Sequence, residues 1–327
     1  MKAIVIPEYG AADVLDLREV PAPVPGPEDL LVEVKAAALN RGDLLQRMGL
    51  YPQPGPKPEY EIPGLEYAGV VREVGNRVER FQVGDRVMGL LSGGGYAELV
   101  SVHERLASPI PGNLDFRQAA ALPEACITAH DALDQARMRC GETVLVHAAG
   151  SGVGIAGVQI AKALGASVVF GTAGSAEKLT RAAQLGVDVG INYHEADFAE
   201  VILEQTQGRG VDIVLDFIGA SYLKQNIACL ASQGRMVVIG LMGGMRAELN
   251  LVAVLQKRLE IRGTVLRTRS LEEKALATRA FERSVLPHIE SGRIRPVVDR
   301  VFALAEATAA HQLMESNANF GKIVLEV

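Results

Sequence analysis

The segment Val146-His147-Ala148-Ala149-Gly150-Ser151-Gly152-Val153-Gly154 carries the densest chemical signal in the chain. A β-branched apolar run, Thr143 to Ala148, leads into it, and a helically spaced run, Ile155 to Leu164, leads out. Small residues at such a strand-to-helix junction let backbone N–H groups approach a pyrophosphate at a helix N-terminus. Two registers fit. Gly152, Gly154 and Gly157 spell G-x-G-x-x-G, whereas the strand end favours Ala149, Ser151 and Gly154 as the three small positions, with the turn directly after the strand. Glycines that only tighten a turn and pack helix on sheet would give a similar string. Strand, loop and helix in that order favour a dinucleotide site, with Ala149, Gly150, Ser151, Gly152, Val153 and Gly154 around it.

The following strand reports which dinucleotide. An NAD site places an acid about 20 residues beyond the loop to bind the ribose hydroxyls. Here the second strand runs instead into Gly171-Thr172-Ala173-Gly174-Ser175-Ala176-Glu177-Lys178. The small residues, the hydroxyl and the cation suit a ribose phosphate, so NADPH is expected over NADH, with Gly174, Ser175 and Lys178 as contacts. Lys178 also has the ordinary account of a solvated helix lysine, and Glu177 beside it dilutes the charge. The missing acid weighs as much as the lysine.

These residues need a scaffold. The first third reads as short strands, such as Leu30 to Lys35 and Tyr67 to Val74, broken by clusters such as Pro21-Ala22-Pro23-Val24-Pro25-Gly26-Pro27, which predicts an antiparallel β domain. From Thr143 the texture becomes βαβ, and strand candidates follow at Ser167 to Phe170, Val189 to Tyr193, Asp212 to Phe217, Arg235 to Gly240 and Leu259 to Val265. Such strands suit a doubly wound parallel sheet. After Val265 come helices, an extended piece at Val297 to Phe302 and a last strand at Lys322 to Val327. The expected class is α/β: a β-rich catalytic domain over 1–124, a Rossmann domain over 125–265, and a return to the catalytic domain over 266–327.

Composition removes several alternatives. A chain of 327 residues with 48% hydrophobic residues can bury two cores. A net charge of -6 gives no general attraction to nucleic acid or to an anionic membrane, so neither is expected as a partner. Cys126, Cys140 and Cys229 fit neither a disulfide framework nor a structural zinc site, which points to a reducing, cytoplasmic setting. The opening Met1-Lys2-Ala3-Ile4-Val5-Ile6-Pro7 reads as a strand rather than as a signal peptide.

Taken together with Ala148 to Gly154, the phrases Ala38-Leu39-Asn40-Arg41-Gly42-Asp43-Leu44, Gly64-Leu65-Glu66-Tyr67-Ala68-Gly69, Ile239-Gly240-Leu241-Met242-Gly243-Gly244 and Gly321-Lys322-Ile323-Val324-Leu325 resemble the zeta-crystallin-type quinone oxidoreductases of the medium-chain dehydrogenase/reductase superfamily. The p53-inducible branch is the nearest likeness. The resemblance runs from end to end and implies a GroES-like catalytic domain, a Rossmann domain, NADPH and a homodimer. It carries loop contacts onto Ser151, Gly152 and Val153, and ribose-phosphate contacts onto Gly174, Ser175 and Lys178. It adds Asn40, Tyr193, Gly240, Leu241, Met242 and Asn319 as cofactor contacts. Asn317 stands where the family sometimes has an arginine, which implies a weaker phosphate contact there.

Zinc alcohol dehydrogenases of that superfamily use a Cys and a His-Glu pair at positions matching Asn40 and Leu65-Glu66. Neither Asn40 nor Leu65 supplies a thiolate or an imidazole, and Leu90-Leu91-Ser92-Gly93-Gly94-Gly95-Tyr96 carries no four-cysteine lobe. Alcohol oxidation is hard without a Lewis acid, but a quinone or enone accepts hydride at a conjugated position with only hydrogen-bond help. The polar candidates are Asn40, Asp43, Tyr51 and Thr128. Asn40 would orient the nicotinamide or a substrate carbonyl, and Tyr51, ahead of Pro52, would donate a hydrogen bond or proton. Their plain structural roles are an N-cap for Asn40, a first-turn acid for Asp43 and a pocket wall for Tyr51. The resulting expectation is zinc-independent, NADPH-dependent reduction of quinones. The alternatives are enone or enoyl double-bond reduction, and a non-catalytic NADPH-binding structural or RNA-binding protein.

Because positions 40 and 65 lack metal-binding side chains, the purified protein should hold no stoichiometric zinc and should keep its activity in chelators. Elemental analysis checks this. One tightly held zinc per chain, with activity lost on its removal, would contradict it.

Overall fold

The computed structural model describes residues 1–51, 53–56 and 58–327. The chain divides into two units, one of residues 1–127 and 266–327, the other of residues 128–265. In the first unit, β1 (Asp29–Ala38) is followed by helix α1 (Arg41–Arg47) and strand β2 (Glu66–Val74). Helix α2 (Pro123–Gln135) contains the change of unit at Ile127/Thr128. The second unit holds β3 (Thr143–Val146), α3 (Gly152–Ala163), β4 (Val168–Ala173), α4 (Ala176–Ala183), β5 (Val189–Asn192), β6 (Val211–Asp216), β7 (Leu230–Val238), α5 (Leu251–Lys257) and β8 (Glu260–Gly263). The chain then returns to the first unit and ends on β9 (Lys322–Glu326).

In the second unit the strand order is β5-β4-β3-β6-β7-β8, with every pair parallel. Parallel sheets covered on both faces need strands apolar on both faces, and Thr143, Val144, Leu145 and Val146 of β3 are all buried. Leu145, Phe170, Ile191, Val214 and Met236, one from each of five strands, share a single core cluster. The order reverses between β3 and β6, which makes the carboxyl ends of these strands the place where such a sheet binds ligands. The expected strands all form, with ends moved by up to a few residues; β7 begins at Leu230, well before the expected Arg235.

The strands of the first third pair antiparallel, as expected, and the returning segment adds one parallel pair. β1, β2 and strands Arg86–Leu90, Leu99–His103 and Ala107–Pro109 pair antiparallel, but Val298–Ala303 runs parallel to β9. The returning segment is the reason: β9 pairs antiparallel with β1, through Val324 against Ala38, and carries Val298–Ala303 on its other edge. Gly69 of β2 allows the closest approach in this sheet, since a Cβ there would lie 2.1 Å from the Glu33 carbonyl oxygen.

A buried cation ties these strands together. Lys322, the first residue of β9, is 5% exposed. Its Nζ donates to the Leu39 carbonyl at 2.6 Å and to Asn40 Oδ1 at 2.7 Å, and pairs with Glu66 Oε1 at 2.6 Å. One ammonium therefore spends its three protons on the end of β1, the residue before α1 and the first residue of β2. Glu66 is fully buried and also accepts from Asn40 Nδ2 at 2.8 Å and from the Glu124 backbone N–H at 2.8 Å.

Removing one partner of a buried pair strands the other charge, so Lys322→Met should cost about 3–5 kcal/mol in denaturant unfolding. Replacing both partners, Lys322→Met with Glu66→Met, should restore much of that loss, because no charge is then left buried. A single variant within about 1 kcal/mol of the wild type would contradict the assignment.

Candidate active site

In the first unit the polar candidates gather around that pair. The Asp43 carboxylate accepts from the Asn40 backbone N–H at 2.7 Å, from the Gly64 N–H at 3.0 Å and from the Tyr96 hydroxyl at 3.2 Å. Burial pushes its carboxyl up to about 6, against the pull of those N–H groups and of Lys322. At neutral pH it is therefore an acceptor that caps α1 and anchors the loop at Gly64. Asn40 precedes α1 as expected, but its side chain caps nothing: Oδ1 takes the Lys322 ammonium, while Nδ2 reaches Glu66 and, at 3.3 Å, the Ala38 carbonyl. What remains is the second lone pair of Oδ1, which suits an N–H donor rather than a carbonyl.

Tyr51 is clamped from two sides. The Arg267 guanidinium lies over its ring, 4.7 Å to the centroid, and a Cβ added at Gly42 would stand 3.2 Å from Tyr51 Cε1. Arg267 also donates to the Tyr51 carbonyl at 2.6 Å, to Gln46 Oε1 at 2.6 Å and to the Ser92 carbonyl at 2.9 Å, joining helix α1 to two loops. Burial first, and the neighbouring Glu124 carboxylate second, push the Tyr51 hydroxyl up to about 12. Pro52 lies outside the described residues. Asn317 sits at φ +55° and accepts from Arg41 Nη2 at 2.6 Å, and Asn319 Nδ2 donates to the Gly321 carbonyl at 2.8 Å.

Thr128, on the second unit's side of α2, is 8% exposed. In that unit the remaining candidates all follow strand carboxyl ends. After β3 the chain turns at Ala148, whose φ of +46° is unusual for a residue with a side chain. Ser151 N–H then bonds the Ala148 carbonyl at 2.8 Å, and Ser151 Oγ caps α3 by accepting from Gly154 N–H at 3.1 Å. A Cβ on Gly154 would lie 2.2 Å from the Ala148 oxygen, so only glycine fits there. Gly157 packs instead against Leu215 and Val146, which leaves Ala149, Ser151 and Gly154 as the residues of the turn itself.

After β4, Ser175 caps α4 by accepting from Lys178 N–H at 3.3 Å, and a Cβ on Gly174 would stand 2.5 Å from the Tyr193 hydroxyl oxygen. No carboxylate stands at this strand end between Ala173 and Ser175. After β7, Gly240 N–H bonds the Asp216 carbonyl at 3.2 Å, and Leu241 and Met242 are half exposed. His147 is fully buried between Thr172 Oγ1 and Asn226 Oδ1, and burial lowers it to about 4. His311 is fully buried beside Arg47, and burial lowers it to about 3.

Sequence reasoning missed Glu66, Glu124, Arg267 and Lys322 as members of the first unit's polar group. A signal was present for two of them: Glu66 and Lys322 each open a strand directly ahead of an uncharged run, Tyr67 to Val71 and Ile323 to Leu325. Among the described residues no group of three or more His, Cys, Asp or Glu is placed to hold a metal ion, and no helix is long and apolar enough to cross a membrane.

Comparison with known proteins agrees with this layout. Residues 26–112 match the family model described as "Alcohol dehydrogenase GroES-like domain", and residues 152–281 match the one described as "Zinc-binding dehydrogenase". The quinone oxidoreductase of Rattus norvegicus is 35% identical over 99% of this chain and 97% of its own. Among solved structures, an Escherichia coli quinone oxidoreductase complexed with NADPH is 31% identical with a TM-score of 0.90, covering 100% of both chains. A NAD-dependent alcohol dehydrogenase is 36% identical with the same TM-score of 0.90, again over 100% of both. These relatives do not separate the p53-inducible branch from the rest. With the β-rich unit, the parallel sheet and a full-length quinone oxidoreductase relative all in agreement, the chain belongs to the quinone oxidoreductase family of the medium-chain dehydrogenase/reductases.

Proposed function

We propose that the protein reduces quinones with NADPH and without zinc. The observation that carries the cofactor half is the turn after β3, where the Ala148 carbonyl leaves room for no side chain at Gly154. That cradle fits a dinucleotide pyrophosphate held by Ala149, Gly150, Ser151, Gly152, Val153 and Gly154 at the N-terminus of α3. Gly174, Ser175, Lys178 and Tyr193 would receive the ribose phosphate, with no carboxylate at the strand end to repel it. Gly240, Leu241 and Met242 would line the nicotinamide half, and the family resemblance assigns Asn40, Asn317 and Asn319 as further cofactor contacts. When bound, NADPH supplies hydride.

The remaining chemistry falls to side chains. Asn40 offers an acceptor, and its amide orientation is dictated by Lys322 and Glu66. Asp43 sets the start of α1 and thereby Asn40. Tyr51, held by Arg267 and Gly42, positions the acceptor ring, and Thr128 is assigned a polar contact. The Lys322 ammonium already neutralises Glu66, so the acidic group needs no metal for charge balance. The same reading makes the enzyme a cytoplasmic homodimer that does not bind nucleic acid. Support comes from the net charge of -6, from cysteines that form no disulfide, and from exposed Leu251, Val252 and Leu255 on α5.

If Lys178 meets the ribose phosphate, Lys178→Ala should weaken NADPH binding by about ten- to a hundred-fold, corresponding to roughly 1.5–3 kcal/mol, and leave NADH nearly unchanged. Titration with both cofactors measures it, and equal weakening would remove the assignment.

Tyr51→Phe should keep most of the maximal rate on quinones, with the loss mainly in KM, because a positioning contact is uniform binding. A hydroxyl held near 12 is a poor acid at neutral pH, and hydroquinone oxygens can take protons from water or another acid. Collapse of kcat on quinones at unchanged KM would make Tyr51 a chemical participant. The same collapse confined to enones would favour double-bond reduction as the physiological reaction.

A further inference from the structure

Glu124 is the one member of the first unit's polar group without an evident task. It stands in the first turn of α2, where its backbone N–H is spent on Glu66 Oε2 at 2.8 Å. Its half-buried carboxyl makes no hydrogen bond among the described residues. The charged groups that bear on it are the Glu66 and Asp43 carboxylates, which oppose ionisation, and the Lys322 ammonium and Arg267 guanidinium, which favour it. Lys274, whose Nζ donates to Ser92 Oγ at 2.7 Å, and the Tyr51 hydroxyl also feel its charge. Lys322 is already committed to three acceptors and Arg267 to three others, so neither cation bonds the Glu124 carboxyl.

We propose that Glu124 is the acid of the reaction, delivering a proton to the oxygen of the acceptor as it is reduced. This rests on the quinone-reductase reading above. In the step, the acceptor takes a hydride from NADPH, its carbonyl electron pair moves onto oxygen, and the Glu124 O–H bond breaks as that oxygen gains the proton. Glu124 is left as carboxylate and recovers its proton from water. The acceptor has then gained two electrons and two protons, and NADPH has become NADP⁺.

Charge and geometry converge on this residue. Burial, reinforced by Glu66, pushes its carboxyl up to about 8, so it holds its proton at neutral pH yet releases it readily. A useful acid has a pKa near the working pH. Tyr51 at about 12 is too weak, and Asp43 at about 6 is ionised and bound by three donors. Glu124 combines a held proton with an oxygen not already engaged, on the first turn of a 13-residue helix.

Two measurements test it. In cofactor-free protein with ¹³C-labelled glutamate carboxyls, one carboxyl should titrate near 8 and should be missing from Glu124→Gln; the absence of any such carboxyl would overturn the proposal. In single turnovers with NADPH and an ortho-quinone, the wild-type rate should fall as pH rises through about 8. Glu124→Gln, which mimics the protonated residue and so should fold, should lose that pH dependence and slow by about 100-fold, the lower end of the usual range for a positioned acid. Glu124→Asp should fall between the two. Wild-type turnover with an unchanged Glu124→Gln rate and pH profile would overturn the role of Glu124 alone. A wild-type chain inert toward every quinone would overturn the functional reading and this role together.

Discussion

The first unit depends on one buried ammonium. A charge removed from water is tolerable only where its protons find acceptors and a counter-charge, and Lys322 finds both in Leu39, Asn40 and Glu66. Those contacts come from three separate chain segments, so the ammonium fixes where β1 ends, how the Asn40 amide is turned and where β2 begins. Asp43 repeats the device on a smaller scale, joining Asn40, Gly64 and Tyr96 through one carboxylate. The two networks share Asn40, whose backbone serves Asp43 while its side chain serves Lys322.

Around this cation the carboxyl groups divide their roles by environment. Glu66 receives three donors and is an acceptor only. Asp43 receives three as well, and burial lifts it no further than about 6. Glu124 receives none among the described residues and is lifted above Asp43. Between Asp43 and Glu124 the difference lies in the supply of donors. In the second unit the polar element is instead the backbone: Ala148 accepts a left-handed conformation, Gly154 gives up its side chain, and Ser151 caps the helix. Strain at a residue with a side chain persists only where the surroundings over-determine it.

Much of this was readable in the chain. β3, β4 and β6 announce themselves because strands covered on both faces must be apolar, and the turn after β3 because strand, loop and helix occur within a short span with small residues between them. The placement of Gly174, Ser175 and Lys178 at the end of β4 followed from the same local logic. The parallel pairing of Val298–Ala303 with β9 did not, because the direction in which two strands pair leaves no periodicity in either strand.

The sequence by itself determined the α/β class, the dinucleotide turn, the missing acid after β4 and the lack of a thiolate at residue 40 or an imidazole at residue 65. Each depends on residues close together along the chain, or on the identity of a single side chain. Only the tertiary structure decided that Lys322 meets Glu66, that Arg267 covers Tyr51, and that the Glu124 carboxyl has no donor among the described residues. These contacts join residues more than fifty positions apart, and burial and charge coupling depend on distance through space, which local pattern does not encode.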